Sequence, residues 1–209
     1  MKRILLILIV VLGWLPQSKA QNDKAAKKVL DAVSSKIKTL KAITATFTLQ
    51  SISSKGKNNG TKVGTVSLMG QKYTMKQNKV EIICDGTKIY NYDGNKTITV
   101  TGVNDEGSTL SPQILLSNFY DKDYTYKLIS SLGNFHQIEL IPIDKRKNVQ
   151  KINIFIDKEK NFITKAKVLD KSNNTIELTI SNTNTNAKLS DNLFQFNKAK
   201  YPKDVEILD

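Results

Sequence analysis

The sequence has few of the residues that form cross-links, metal sites and reactive centres. Its 209 residues include one cysteine, Cys84, and one histidine, His136. A single cysteine excludes an intramolecular disulfide and a cysteine-rich zinc site. A single histidine excludes a metal held by several histidines and argues against a Ser-His-Asp hydrolase. The sequence therefore predicts no metal and no cofactor.

The motifs of common enzymes are missing as well. There is no glycine-rich phosphate loop, no Gly-x-Gly-x-x-Gly and no nucleophile elbow. His136 lies in an alternating segment that is typical of a strand, which favours a structural role. Cys84 ends a strand, where a buried hydrophobic residue is the simpler interpretation and a reactive thiol the alternative. Asp85 precedes a glycine, and because an Asp-Gly hairpin explains it without catalysis, a binding protein is favoured over an enzyme.

Arginine is scarce although the chain is basic. Lysine and arginine together number 32 against 19 acidic residues, which gives a formal net charge of +13, and only Arg3 and Arg146 are arginines. Bidentate recognition of bases and phosphates favours arginine, so the excess charge does not predict nucleic-acid binding. A solvated lysine-rich surface is the simpler interpretation, and a weak attraction to anionic membrane surfaces stays open.

Long hydrophobic runs are absent except at the N terminus. Lys2 and Arg3 precede an apolar run, and Ser18-Lys19-Ala20 places small residues where a signal peptidase cleaves. This pattern predicts a secretory signal peptide over residues 1–20. At about twelve residues the run is too short to span a bilayer, which takes roughly 20. Since the next residue is Gln21 and not cysteine, we expect a soluble protein without an N-terminal lipid anchor.

The periodicity of the remaining chain changes from helical to alternating. Apolar residues three and four apart predict an amphipathic helix from Lys24 to Lys41, capped by Asn22 or Asp23. Beyond it, residues alternate between apolar and polar, as in strands with one buried face. Strands are predicted at residues 43–50, 61–69, 72–77, 80–84, 88–92, 97–103, 124–129, 135–141, 151–156, 163–170, 175–182 and 206–208, with a polar turn at 55–60.

One apolar segment, Leu110 to Tyr120, interrupts the strands. Ser111 can cap a helix there and Pro112 suits its first turn, so a second, short and very apolar helix is predicted. A sheet of this many strands curls, and helices are expected to pack on its concave side. Whether they fill that side or only cover a cavity stays open. No linker is evident, so residues 21–209 are predicted to form one domain.

Several segments follow one another in a recognisable order. Residues 81–92 combine a hydrophobic-x-Asp-Gly turn with a hydrophobic-aromatic-x-Tyr strand, and this hairpin is the most specific of them. The others are residues 45–50 after the helix, 64–73, 111–116, 138–142, 193–196 and 201–205. In this order and spacing, the chain resembles the LolA-like outer-membrane lipoprotein carrier proteins, in the branch found in Bacteroidetes-type bacteria.

The resemblance implies a fold and a function. The fold is an incomplete antiparallel β-barrel, a strongly curved sheet with an N-terminal helix and a short lid helix over an apolar cavity. Proteins of this family bind the acyl chains of lipoproteins in that cavity. They receive them from an inner-membrane lipoprotein-releasing ABC exporter and carry them through the periplasm to the outer membrane. The lipid-binding residues expected here are Phe47, Leu68, Tyr73, Met75, Ile89, Ile114, Leu115, Leu116 and Phe119.

The resemblance also leaves alternatives open. We expect a monomeric periplasmic carrier whose outer-membrane acceptor is unknown, and the alternative is a periplasmic domain that senses lipid or lipoprotein on the same fold. Tyr73 and Met75 lie two apart on one strand face that the family alignment places in the cavity, but ordinary core packing explains them equally well.

One position departs from the family pattern. The better-known proteobacterial carriers have an Arg-Pro pair before the third-strand aromatic residue, and that arginine helps to hold the lid closed. Aligned on Tyr73, this chain has Gly70-Gln71 instead. Arg146 lies in a predicted turn and does not replace that arginine, so the lid latch must differ or be weaker.

Overall fold

The computed structural model describes residues 22–103 and 119–209. The predicted signal peptide and the apolar residues Ile114, Leu115 and Leu116 lie outside these ranges. The first helix, α1 (Lys24–Lys38), is capped by Asp23, whose Oδ1 accepts hydrogen bonds from the backbone N–H groups of Ala25 and Ala26.

The helix α1 ends before the predicted Lys41. The backbone N–H of Leu40 donates to the carbonyl of Ile37, which tightens the last turn. A second helix, α2 (Phe119–Asp123), follows the segment outside the described ranges and leads directly into a strand. Two 3₁₀ turns, Asp191–Phe194 and Lys198–Lys200, lie near the C terminus.

Twelve strands form one sheet within the described residues. Its order is β12-β6-β5-β4-β3-β2-β1-β11-β10-β9-β8-β7, and β12 and β7 are its two free edges, so the sheet is open. The strongly curved, incomplete barrel predicted from the sequence is therefore confirmed. The strands are β1 (Ile43–Ile52), β2 (Asn58–Met69), β3 (Lys72–Gln77), β4 (Val80–Cys84), β5 (Lys88–Tyr92), β6 (Thr97–Gly102), β7 (Tyr124–Ser130), β8 (Phe135–Pro142), β9 (Val149–Asp157), β10 (Phe162–Asp170), β11 (Thr175–Asn184) and β12 (Glu206–Leu208).

Two details of the predicted sheet are wrong. The turn expected at residues 55–60 is shorter, because Asn58 already pairs with Ile52 across the β1–β2 hairpin. The pair β12–β6 is parallel, although every other pair in the sheet is antiparallel. A three-residue C-terminal strand carries no local signal for the direction in which it pairs.

The sheet has two faces with different covers. We call the side on which α1 lies the helix face, where Ala26, Leu30 and Val33 join a core formed by β7 to β10. On the opposite side, which we call the strap face, Tyr90, Tyr92, Ile98 and Val100 pack against Phe196, Tyr201 and Val205. The C-terminal strap, residues 191–205, thus covers β4 to β6 on the side away from α1.

Polar contacts fix α1 and α2 to the end of the sheet. The Lys27 ammonium donates to Asp31 Oδ1 at 3.1 Å and to Asp121 Oδ2 at 2.9 Å. The Tyr120 hydroxyl donates to Asp31 at 2.8 Å, and the Tyr126 hydroxyl donates to Asp121 at 2.7 Å. This network links both helices to β7. Within residues 22–103 and 119–209, no helix is long and apolar enough to cross a membrane.

Candidate functional site

Five of the residues predicted to bind lipid lie on the helix face. Directly opposed residues of antiparallel strands share a face, and residues two apart along one strand do so as well. Phe47 lies on the same face as Ala45, which is two residues away on β1. A chain of directly opposed residues extends this face from Ala45 across β2, β3 and β4 to β5. The opposed pairs are Ala45–Val66, Val66–Met75, Leu68–Tyr73, Tyr73–Cys84 and Cys84–Ile89.

These five side chains differ in burial. Phe47 is 3% exposed and Tyr73 is 2% exposed, so both belong to the core. Leu68, Met75 and Ile89 keep part of their surface open, and the same holds for other apolar side chains of this face, which are Leu49, Ile82, Leu178 and Ile180. Because α1 packs on β7 and β10 instead, the helix face from β11 to β5 is mostly apolar and, among the described residues, combines buried side chains with partly exposed ones.

A small cleft opens where α1 ends. It has a volume of about 160 Å³, and it lies between the C-terminal end of the helix and the β2–β3 hairpin. Leu68 is the one predicted site residue that lines it. Its lining is Ile37, Lys38, Leu40, Ile43, Leu68, Gly70 and Gln71. Ile37 and Leu40 were not among the predicted site residues, although their spacing on the apolar stripe of the predicted helix was a usable signal.

The cleft includes the position that departs from the family pattern. Gly70 and Gln71, which the resemblance aligns with the Arg-Pro pair of the proteobacterial carriers, both line the cleft. Gly70 has a φ of 59°. This left-handed conformation favours glycine at the β2–β3 turn. The turn therefore brings an uncharged amide, rather than a guanidinium, to this position.

A close approach between β1 and β2 explains a second glycine. Phe47 pairs with Gly64, and its ring lies over the glycine. A Cβ atom on Gly64 would clash with Phe47 Cζ and with the backbone carbonyl of Lys76, and it would lie 2.8 Å from Phe47 Cε1. Because Gly64 has no side chain, the ring of Phe47 can pack directly against the backbone of β2 on the helix face.

Two titratable groups on this part of the helix face, Tyr73 and Cys84, are held neutral. Burial raises the pKa of Tyr73 to about 12, and the neighbouring Cys84 adds to the shift. Burial also raises the pKa of the Cys84 thiol, which lies 3.7 Å from the backbone carbonyl of Gln71. Both groups are uncharged at neutral pH, so they favour an apolar ligand over a charged one.

The residues that the sequence analysis judged structural have local partners. Asp85 Oδ1 accepts hydrogen bonds from the backbone N–H groups of Thr87 and Lys88, both at 2.8 Å, which closes the predicted Asp-Gly hairpin. Burial and the charge of Lys158 lower the pKa of His136, whose Nδ1 lies 2.9 Å from Ser131 Oγ. Across the described ranges, no three His, Cys, Asp or Glu side chains are grouped as a metal site.

The remaining predicted lipid-binding residues are not placed by these observations. Phe119 begins α2. Ile114, Leu115 and Leu116 lie outside the described residues, so their role in a lid stays a prediction from the sequence.

Comparison with known proteins identifies the family. The sequence profile of the outer membrane lipoprotein carrier protein LolA matches residues 38–197, which is well over half of the chain. The chain belongs to the LolA family. The match runs from the last residue of α1 through β11 and into the first part of the C-terminal strap, so it includes the half-buried helix face. This family is named for a carrier and not for a catalyst.

Two solved structures are similar to this chain at low sequence identity, and the one with a TM-score above 0.5 shows the same fold. An uncharacterised conserved protein of Thermus thermophilus is 11% identical, with 88% of this chain and 99% of that chain covered at a TM-score of 0.60. A LolA superfamily protein of Nitrosomonas europaea is 12% identical, with coverages of 82% and 97% and a TM-score of 0.46. A search of the curated proteins finds no significant match.

Proposed function

We propose that the protein binds the acyl chains of lipoproteins on its helix face and carries them through the periplasm from the inner to the outer membrane. The observation that supports this is the apolar surface from β11 to β5, which α1 leaves half-buried and on which Tyr73 and Cys84 are uncharged. The inner-membrane ABC exporter that releases lipoproteins would supply the cargo.

Such a surface suits a ligand without polar recognition groups. Each methylene removed from water contributes about 0.8 kcal/mol, so an acyl chain is held without catalytic or charged side chains. Met75 lies in the centre of the face, beside Val66. The flexible thioether of methionine adapts to irregular ligand shapes. Partial exposure of the face also keeps the binding reversible, as a carrier requires.

Two substitutions at the same level of the sheet test the assignment of the face. Met75→Glu places a carboxylate on the helix face next to Val66. Thr65→Glu places one on the strap face of the neighbouring strand, opposite Lys76. Both variants should be expressed with the wild-type signal segment and purified from the periplasm. Their melting temperatures show whether each has folded.

The readout is the bound cargo. Organic extraction and mass spectrometry should find acyl chains and co-purifying lipoproteins with the wild type and with Thr65→Glu, and little with Met75→Glu. Release of the cargo to outer-membrane vesicles distinguishes a carrier from a sensing domain. A folded Met75→Glu protein that carries the wild-type load, or a wild type without lipid, would contradict the proposal.

A further inference from the structure

The hairpin between β7 and β8 has a solvent-exposed leucine, Leu132, at its tip. Leu132 is 85% exposed, which is the largest exposure among the described large hydrophobic residues. Ile129 and Phe135, which flank the turn, are 46% and 43% exposed. Single exposed hydrophobic residues are common, so the exposure of Leu132 alone indicates no function. It becomes informative if the backbone holds the side chain in a fixed position.

The backbone around Leu132 is fixed at three points. The Lys158 ammonium donates to the carbonyl of Ser131 at 2.7 Å, and the Lys158 backbone N–H donates to the carbonyl of Asn134 at 3.0 Å. The N–H of Leu132 itself donates to Ser130 Oγ at 3.3 Å. The neighbouring β9–β10 turn thus holds the tip in one conformation, while the leucine side chain stays in water.

Lysines surround this tip. Lys127, Lys158 and Lys160 lie on or beside the two hairpins, and none of them forms an ion pair with a carboxylate of the described residues. The acidic groups nearby are Asp23, Asp157 and Glu159; Asp23 Oδ2 accepts from the backbone N–H of Leu128, and Asp157 Oδ1 accepts from the backbone N–H groups of residues 159 and 160. The three lysines and three carboxylates balance locally, so the positive charge that acts at a distance is that of the whole chain, whose net charge is +13.

The strand directions place the tip at a particular end of the sheet. Because neighbouring strands from β7 to β1 and on to β3 are antiparallel, the β7–β8 and β9–β10 turns lie at the same end as the β2–β3 turn. The cleft lined by Leu40, Ile43 and Leu68 opens at that end as well. An apolar tip, unpaired lysines and the cleft therefore share one end of the molecule.

We propose that this end of the sheet docks on an anionic lipid bilayer and that Leu132 enters the bilayer interface. A membrane needs no shape complementarity, so one leucine with two flanking apolar residues suffices, whereas a stable protein interface takes about 800 Å² on each partner. The net positive charge attracts the protein to anionic lipid from a distance, and the tip lysines remain hydrated beside phosphate groups. This inference goes beyond the proposed function and does not require cargo on the helix face.

The test measures binding of the purified protein to vesicles. Phosphatidylcholine vesicles with about a third anionic phosphatidylglycerol are compared with pure phosphatidylcholine vesicles by cosedimentation, at low and high salt. The variant is Leu132→Ser, which alters an exposed side chain. The matched control is Ile143→Ser, because Ile143 is 53% exposed beside lysines but lies at the opposite end of the sheet.

The wild type should bind the anionic vesicles and dissociate in high salt, because screening removes the long-range attraction. Leu132→Ser should weaken binding about tenfold, as expected for loss of one leucine inserted in apolar surroundings. Ile143→Ser should bind as the wild type does. In Leu132→Trp, the new tryptophan should show a blue shift on vesicles that the wild type lacks, because the one tryptophan of the chain, Trp14, lies in the predicted signal peptide.

Three results would overturn the docking proposal. They are absence of wild-type binding to anionic vesicles, equal binding by Leu132→Ser, and an equal loss in Ile143→Ser. A soluble protein partner that requires Leu132 in the absence of vesicle binding would also overturn it. Bound acyl chains, measured in the same preparations, report separately on the helix face, so either proposal can fail while the other holds.

Discussion

Replacing Gly64 by alanine tests the close packing between β1 and β2. The new methyl group would point to the helix face, where Phe47 and the carbonyl of Lys76 occupy the space. The Lys76 carbonyl belongs to the backbone of β3, which pairs with β2 through Thr65 and Val66. It cannot retreat without disturbing that pairing. Phe47 is buried and has little room to rotate.

The expected loss of stability follows from these two obstacles. Forcing an extra methylene into a packed core costs about 1–3 kcal/mol, and a fixed backbone obstacle places Gly64→Ala at the upper end, near 3 kcal/mol. The smaller conformational freedom of alanine in the unfolded chain offsets only about 0.4–1 kcal/mol of this cost. The net loss is about 2–2.6 kcal/mol, and at roughly 2–4 °C per kcal/mol for a chain of this size the melting temperature should fall by about 4–10 °C.

Calorimetry with two companion variants separates the causes. A Cβ atom at Gly133 would meet no atom within 4 Å, but Gly133 has a φ of 58°. The loss of stability in Gly133→Ala therefore measures backbone strain alone, which is about 1–2 kcal/mol. Adding Phe47→Leu to Gly64→Ala, with Phe47→Leu alone as reference, should relieve the contact with the ring but not the contact with Lys76. A Gly64→Ala protein that melts no lower than Gly133→Ala would refute this account of the packing.

Three further predictions concern the polar contacts and the composition. The hydrogen bonds from Tyr126 and Lys27 lower the pKa of Asp121, so its stabilising effect is complete above the ordinary carboxyl pKa of 3.8 and is lost as the pH falls through the lowered pKa. Asp121→Asn should therefore melt below the wild type at neutral pH, and thermal scans should show the difference vanishing in acid. The Tyr201 hydroxyl donates to Glu81 at 2.7 Å, so Tyr201→Phe should lose about 1.5 kcal/mol of unfolding free energy in denaturant titrations. With one histidine and one cysteine, the native protein should contain no stoichiometric transition metal by elemental analysis.

Local patterns were sufficient where a strand and its turn are adjacent in sequence. The bounds of β3, β4 and β5 agree with the predicted ranges to the residue, because alternation defines each strand and the turns contain Gly70 and Gly86. The start of α1 was equally accessible, since Asp23 is a favourable cap just before the apolar stripe.

Pairing between distant segments was not accessible in this way. The start of β2 consists of Asn58, Asn59 and Gly60, whose composition indicates a turn. These residues nevertheless extend the strand, because β1 continues to Ile52 and its backbone groups pair with them regardless of side chain. The parallel partner of β12 depends on the path of the C-terminal strap, which packs on the far side of β4 to β6.

The alternation of apolar and polar residues can be read from the sequence, and it places Tyr73 and Met75 on one apolar side of their strand. This follows because side chains of a strand point to opposite faces in turn, whatever the rest of the fold does. The burial of Tyr73 and the partial exposure of Met75 result from tertiary packing. The position of α1, which covers β7 and β10 and leaves the neighbouring strands uncovered, does so as well. The burial of a side chain depends on which distant element packs over it. Two apolar residues on the same face of a strand follow the same alternation, so the alternation does not tell which of them is covered.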